Sequence, residues 1–340
     1  MRWELLIALV SPFVNAYSEC PNVLSFEDRR KDTNTLRFVQ YNVEWLFMDY
    51  YEPSDCPGNG CPWVNQSEAE IHMNEVSEVI KELNPDIINF CEIESCDELH
   101  IIQDKINDNT YMPYLKQGTD TSTGQNVGML TRIDPLIDLY RTEERYDYPI
   151  SGSQCGYTGT PGTSGVSKHY ITELTLNGIH IAFISAHLLA IPSDPKRCAE
   201  REAQASVLQK IINDYIHKEF EVIMFGDFND FDKEVLDVNN NVPISNVLDI
   251  LKGYEGEYKG QYTLYNLAEI MVQNERYSDW WDSDNNCNTY SQDDYSMIDH
   301  ILVTNNLREK VNNVFIYHNY DEYCGKYDSD HYPVVIDFQL

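Results

Sequence analysis

Polar and acidic residues recur directly after short apolar runs in this chain. Asn42 and Glu44 follow residues 36–41, and Glu92 follows residues 86–91. His187 follows residues 181–186, and Gly226-Asp-Phe-Asn-Asp230 follows residues 221–225. Asp299 and His300 sit inside residues 297–303, and Asp330-His331 opens a final apolar run. Taken singly, a turn Asp or Asn caps a loop and a strand-end His is a hydrogen-bonded structural group. So many together are hard to assign to turns alone. These residue types suit phosphodiester hydrolysis, which needs a base to deprotonate water, a hard cation on the phosphate oxygens and an acid near the leaving oxygen. Mg²⁺ is held by one or two carboxylates plus substrate phosphate, a need that Glu92, Asn42 and an Asp meet. Two separated histidines could divide base and acid duties, each oriented by a carboxylate.

Rigid strand ends can hold such groups, so the elements matter. Residues 36–42 read as a strand. Ser67-Glu-Ala-Glu70 has capping-box spacing before a helical pattern at Ile71, Val76, Val79, Ile80 and Leu83, which Pro85 stops. A strand over 86–93, a weaker helix over 97–106 and a strand over 126–131 follow. Residues 151–168, rich in Gly, Ser and Thr, read as a loop. A hairpin is expected from 169–176 and 179–185 around Asn177-Gly178. Asp194-Pro195 starts a helix to about residue 218. Strands are expected at 221–225, 297–303, 314–318 and 332–338. No repeat and no linker divides two cores. The pattern predicts an α/β fold with packed sheets inside and helices outside.

Of 340 residues, 24 are Lys or Arg and 56 are Asp or Glu, for a net charge of −32. With 42% hydrophobic residues the chain is not of the disordered class. Nucleic acid cannot be held by a basic surface here, since the net field repels phosphate. Met1-Arg2, the apolar residues 5–14 and Val14-Asn15-Ala16 form a signal-peptide pattern, too short to span a membrane. The division is therefore a leader at 1–16, an N-terminal segment at 17–35 and one domain over 36–340. All nine cysteines lie beyond the leader. An oxidising compartment would let some pair: Cys56–Cys61 is the expected local disulfide and Cys91 the expected buried free thiol. Asn65-Gln66-Ser67 is a glycosylation sequon.

The segments Tyr41-Asn-Val-Glu-Trp45, residues 86–93, Ser185-Ala-His-Leu188, Gly226-Asp-Phe-Asn-Asp230, Ser296-Met-Ile-Asp-His-Ile-Leu302 and Ser329-Asp-His-Tyr-Pro333 occur in that order. As an ordered set they resemble the endonuclease/exonuclease/phosphatase superfamily, which includes pancreatic-type deoxyribonuclease, abasic-site endonucleases and bacterial sphingomyelinases. The resemblance implies a four-layer α/β/β/α sandwich of two mixed sheets. It also implies roles: Asn42 and Glu92 at the metal site, His331 as general base oriented by Asp299, and Asp330 in the metal and phosphate environment. His187 resembles the phosphate-contacting acid of the nuclease and sphingomyelinase branches. Asp227 and Asn229 resemble the pair that positions water and phosphate. Mg²⁺ is the expected ion, with Mn²⁺ as a substitute and Ca²⁺ in a structural role.

Other residues carry the plainer reading. Glu44 is divided evenly between the site and a solvated strand end. Asp230 reads as a turn residue and His300 as a packed histidine. Arg201 and Gln204 read equally as substrate contacts or as one polar helix face, and Arg132 is a similar case. Residues 277–286 read as an acidic surface loop. The expectation is a secreted, monomeric, Mg²⁺-dependent nuclease acting on DNA, with RNA as a further substrate and no stable membrane insertion. A secreted sphingomyelinase-type phosphodiesterase is the alternative, for which Trp280-Trp281 is the one apolar candidate. An inactive binding protein should have lost a metal carboxylate or a histidine, and none is missing. The acidity predicts weak, metal-dependent substrate binding with little processivity.

Overall fold

The computed structural model describes residues 20–23, 26–48, 61, 63, 65–281, 295–319 and 329–340. The expected leader, the Cys56 end of the expected disulfide and residues 282–286 of the acidic stretch lie outside them. The strands in the first half are β1 (Thr35–Leu46), β2 (Ile87–Ile93), β3 (Met112–Lys116), β4 (Asn126–Thr131), β5 (Tyr146–Tyr148), β6 (Gly162–Ser164), β7 (Lys168–Leu176) and β8 (Ile179–His187). Those in the second half are β9 (Glu221–Asp227), β10 (Tyr265–Asn266), β11 (Asp279–Trp280), β12 (Tyr295–Ser296), β13 (Asp299–Val303), β14 (Val311–Ile316) and β15 (Val334–Gln339). The helices are α1 (Gln66–Leu83), α2 (Cys96–Ile106), α3 (Pro195–Ile216), α4 (Val247–Leu251) and α5 (Asn305–Arg308).

One sheet runs β14-β15-β1-β2-β4-β3 and the other β10-β13-β9-β8-β7. Each contains one parallel pair, β1 with β2 and β8 with β9, and is otherwise antiparallel. Successive side chains of a strand face opposite sides, so alternate residues build separate layers. Leu36 and Phe38 of β1 meet Phe183 and Phe225 of the second sheet in the central core. Val39, Tyr41 and Val43 point outward under α1 and α2. Ala182, Ile184, Val222 and Met224 pack under α3 and α4. This is the expected four-layer sandwich. Among the described residues no helix is long and apolar enough to cross a membrane.

Local chemistry sets the element ends. Asp194 caps α3 by accepting from the Arg197 amide, with Pro195 in the first turn. Asn177 (φ 48°) and Gly178 (φ 81°) make the left-handed turn between β7 and β8. Ser67 does not cap α1. Asn65, extended at φ −161°, accepts from the Glu68 amide, and Ser67 lies inside the helix. The capping box belongs instead to α2, where Ser95 and Glu98 satisfy each other's end of the turn. The expected loop at 151–168 contains β6, paired with β5. The Cys20–Cys96 and Cys155–Cys198 disulfides tie the N-terminal segment to α2 and that loop to α3. Cys61 is also disulfide-bonded. Cys91 is buried and free.

Candidate functional site

Topology brings the strand-end residues to one rim. In a parallel pair both C-terminal ends lie together, so Asn42 joins Glu92 and His187 joins Asp227. Strands β15 and β13 run antiparallel to β1 and β9, which places their beginnings, with Asp330, His331 and Asp299, at the same end. Parity aims Asn42, His187, Asp227 and Asp299 into the gap between the sheets. Glu92 is one residue out of that parity. A bulge after Cys91, with Glu92 at φ 68°, turns its carboxylate inward. Glu44 and Trp45 (φ 42° and 50°) form a second irregularity at the end of β1. Gly226 (φ 141°) lets β9 approach β8 so closely that a Cβ would stand 1.8 Å from the Ala186 carbonyl oxygen.

The contacts divide into two linked groups. Glu92, His187 and Asp227 converge, with His187 Nε2 3.4 Å from Asp227 and 3.8 Å from Glu92. Asp279, Asp330 and His331 form the second group, with His331 Nε2 3.6 Å from Asp279 and 3.9 Å from Asp330. Asn42 joins them: its Nδ2 lies 3.2 Å from Glu92, 3.0 Å from Asp227 and 3.3 Å from His331 Nε2. Behind the second group, His331 Nδ1 and Asp299 Oδ2 are 2.7 Å apart. The Asn229 amide group donates to Asp227 and to the Leu188 carbonyl. All eight residues expected at the site from the sequence are thus at or against this rim.

Three further groups lie there, two not expected and Glu44 only half expected. Asp279 lies in the stretch read as an acidic surface loop, yet Ser278, Asp279 and Trp280 are buried, and the Asp279 backbone bridges that of His331. That reading is corrected for residues 278–280. Polar composition suggested solvent, whereas β11 pairs with β12 and turns these side chains inward. Glu44, half assigned to solvent, is buried and accepts from the Asp330 amide. Lys168 reaches Gln125, which in turn donates to Glu92 at 2.6 Å.

The doubtful residues resolve as structural. Buried Arg201 pairs with Asp230 and binds the carbonyls of Leu189, Ile191 and Pro192, bracing the loop after His187. Gln204 holds the Leu189 amide and the Gly165 carbonyl. His300 stacks on Phe228 and contacts the Asp230 carbonyl oxygen. Arg132 binds Asp108 and the Pro85 carbonyl, beside the beginning of β2 and not its Glu92 end.

Electrostatics fit a cation. Burial, then the charge of Asp299, pushes Asp227 up to about 8. Burial, with Asp279 and Glu92 nearby, pushes Asp330 up to about 7 despite His331. Burial holds Asp279 at about 6, and burial with Asp330 and Glu92 raises Glu44 well above the carboxylate range. For His331, burial favours the neutral ring, but Asp299, Asp330 and Asp279 together raise it well above the ordinary value. Burial, then Lys168 and His331, holds His187 well below it. Oxygen-rich donors gathered against their own repulsion suit a hard divalent ion such as Mg²⁺ or Mn²⁺.

The comparisons agree with this fold. Truncated Caenorhabditis elegans TDP2 superposes with a TM-score of 0.54 at 17% identity, covering 90% of this chain and 98% of that one. Danio rerio TDP2 complexed with single-strand DNA product gives 0.52 at 16%, covering 90% and 99%. The 3′ phosphatase NExo from Neisseria bound to a product DNA hairpin gives 0.56 at 14%, covering 90% and 100%. No curated protein matches the sequence. The model of the Endonuclease/Exonuclease/phosphatase family matches residues 39–331, from within β1 to His331, and the chain belongs to that family.

Proposed function

We propose that the protein is a secreted, divalent-metal-dependent phosphodiesterase that hydrolyses DNA. The observation that carries this reading is the pair of carboxylate–histidine groups joined by Asn42, with the Asp299–His331 contact behind them. Glu92 and Asp330 would hold Mg²⁺, which supplies charge to neutralise phosphate oxygens. Asn42, expected as a ligand, instead turns its amino group to Glu92 while its oxygen accepts from the Glu44 amide, so it positions the carboxylate. A bound divalent ion would offset the carboxylates that raise His331. With Asp299 against Nδ1, Nε2 would then face the site without a proton and be able to take one from water. His187 lies beside Asp227; its ring, held well below the ordinary value by burial, stays neutral and can donate an N–H hydrogen bond to a phosphate oxygen. Asn229 fixes the Asp227 carboxylate that orients the water and phosphate.

DNA as substrate draws support from the DNA products bound in two of the similar structures. The lipid alternative is weakened by Trp280, which is fully buried and leaves Trp281 alone exposed. Two disulfides among the described residues and an exposed Asn65 at the cap of α1 support passage through an oxidising compartment. The test is a parallel digestion of circular duplex DNA, single-stranded RNA and sphingomyelin with Mg²⁺, with EDTA and with His331→Ala. DNA nicking lost with EDTA and with the variant is expected. Turnover of sphingomyelin alone would transfer the protein to the lipid branch.

A further inference from the structure

Gln40, Asn89 and Tyr170 are polar, wholly buried and set in an otherwise apolar layer between the sheets. Gln40 and Asn89 are direct partners across the β1–β2 pair, and Tyr170 faces them from β7. The Tyr170 hydroxyl donates to Asn89 Oδ1 at 2.8 Å. Asn89 Nδ2 donates to Gln40 Oε1 at 2.6 Å, and Gln40 Nε2 donates to Asp299 Oδ1 at 3.2 Å. The other oxygen, Asp299 Oδ2, accepts from Ser278 Oγ at 3.0 Å and faces His331 Nδ1.

This chain has a direction. With the phenol as donor, Asn89 must offer its oxygen to Tyr170 and its amino group to Gln40. Gln40 is then obliged to present its amino group to Asp299. The chain also crosses the gap twice, from Tyr170 in the second sheet to Asn89 and Gln40 in the first, then back to Asp299 on β13. Asp299 and His331 themselves belong to opposite sides, since His331 leads into β15 of the first sheet. Their contact therefore depends on how the two sheets are aligned, and the relay pins that alignment. An apolar residue at position 40 could fill the space, but it would leave Asp299 Oδ1 without this donor and the carboxylate free to turn.

We infer that Gln40, backed by Asn89 and Tyr170, is a positioning residue for the hydrolytic reaction, acting by holding Asp299 so that it orients His331. The inference rests on the reading of Asp299–His331 as the base pair above. Gln40→Leu is compared with Gln40→Leu/Asn89→Leu/Tyr170→Phe, which removes the whole relay and leaves no orphaned amide. The probe is bis(p-nitrophenyl) phosphate with Mg²⁺, and His331→Ala is the reference. Gln40→Leu should lower kcat about 10- to 100-fold, the order expected for a small misplacement of a catalytic group, with KM little changed. The triple variant should recover the part of the unfolding midpoint lost through the orphaned Asn89 amide, but not kcat. Recovery of both would overturn the inference, because the relay would then matter only for folding. Full activity in His331→Ala would overturn the underlying reading instead. Independently of turnover, NMR of histidine-¹⁵N protein reads the His331 Nδ1 proton, assigned by its loss in His331→Ala. That signal should move upfield in Gln40→Leu, and an unmoved signal would count against the inference.

Discussion

Replacing Asp299 by Asn tests the site with almost no change in shape. Asp299 Oδ1 accepts from Gln40 at 3.2 Å, and Oδ2 meets Ser278 and His331 Nδ1 at 3.0 and 2.7 Å. An amide has one oxygen, so one side of the carboxamide must present N–H groups. If these face Gln40, two donors collide, because Asn89 and Tyr170 prevent Gln40 from turning over. If they face His331, Nδ1 must become the acceptor and the ring proton moves to Nε2, removing the lone pair aimed into the site. A general base contributes about 10² to 10⁴ in rate, so kcat should fall about a thousandfold, or about 4 kcal/mol in barrier. Stability should fall as well, because the charge pair that raises His331 is lost. Relief of the repulsion between Asp299 and Asp227, which lie directly across from each other, offsets part of that loss. The assay is steady-state hydrolysis of duplex DNA with urea unfolding of the same preparations. An Asn variant with kcat within threefold of the parent would refute the assignment of Asp299 and His331. Lost activity accompanied by lost cooperative unfolding would refute the argument that only the ring orientation changed.

Three further outcomes are expected. Mg²⁺ at a hundredfold excess over its dissociation constant should stabilise the protein by about 2.7 kcal/mol; Glu92→Gln should abolish that rise in calorimetry without destabilising the metal-free form. Gly226→Ala should cost about 3 kcal/mol or more, or prevent folding, because its Cβ would lie 1.8 Å from the Ala186 carbonyl oxygen at φ 141°; wild-type unfolding by this variant would contradict the close β8–β9 approach. His169 is buried, accepts from the Thr142 amide at 2.9 Å, and is pushed down to about 4 by burial and then by Arg141. Between pH 6.5 and 4 the unfolded chain therefore takes up a proton that the folded chain refuses. Its contribution is intact above pH 6.5 and is lost on acidification, about 3 kcal/mol in all. Urea unfolding at pH 7 and pH 4 should show parent stability relative to His169→Gln falling by about 3 kcal/mol on acidification, because the raised rim carboxyls titrate alike in both proteins and cancel.

Asp194-Pro195, Asn177-Gly178 and the apolar runs were legible because helix caps, hairpin turns and strand burial are local and leave their residue types in place. The same holds for the rim: Glu92, His187 and Asp227 follow apolar segments that read as strands, and His331 opens one. Ser67 shows the limit of a spacing rule, since Asn65 two residues earlier competes for the same orphan amides of α1.

What the sequence by itself determined was the inventory of reactive groups and the strand ends that carry them, since both depend on near neighbours. The tertiary structure alone decided which of them meet. Asp279 enters the site because β11 pairs with β12 and its backbone meets that of His331; the acidic and Asn-rich residues after Trp281 made the whole stretch read as a surface loop. Glu92 faces inward through a bulge that breaks the period of two, and the Cys20–Cys96 bridge joins cysteines 76 positions apart. Gln40 and Asp299 are 259 residues apart. No local propensity couples residues at that distance, and only the packing of one sheet on the other makes them partners.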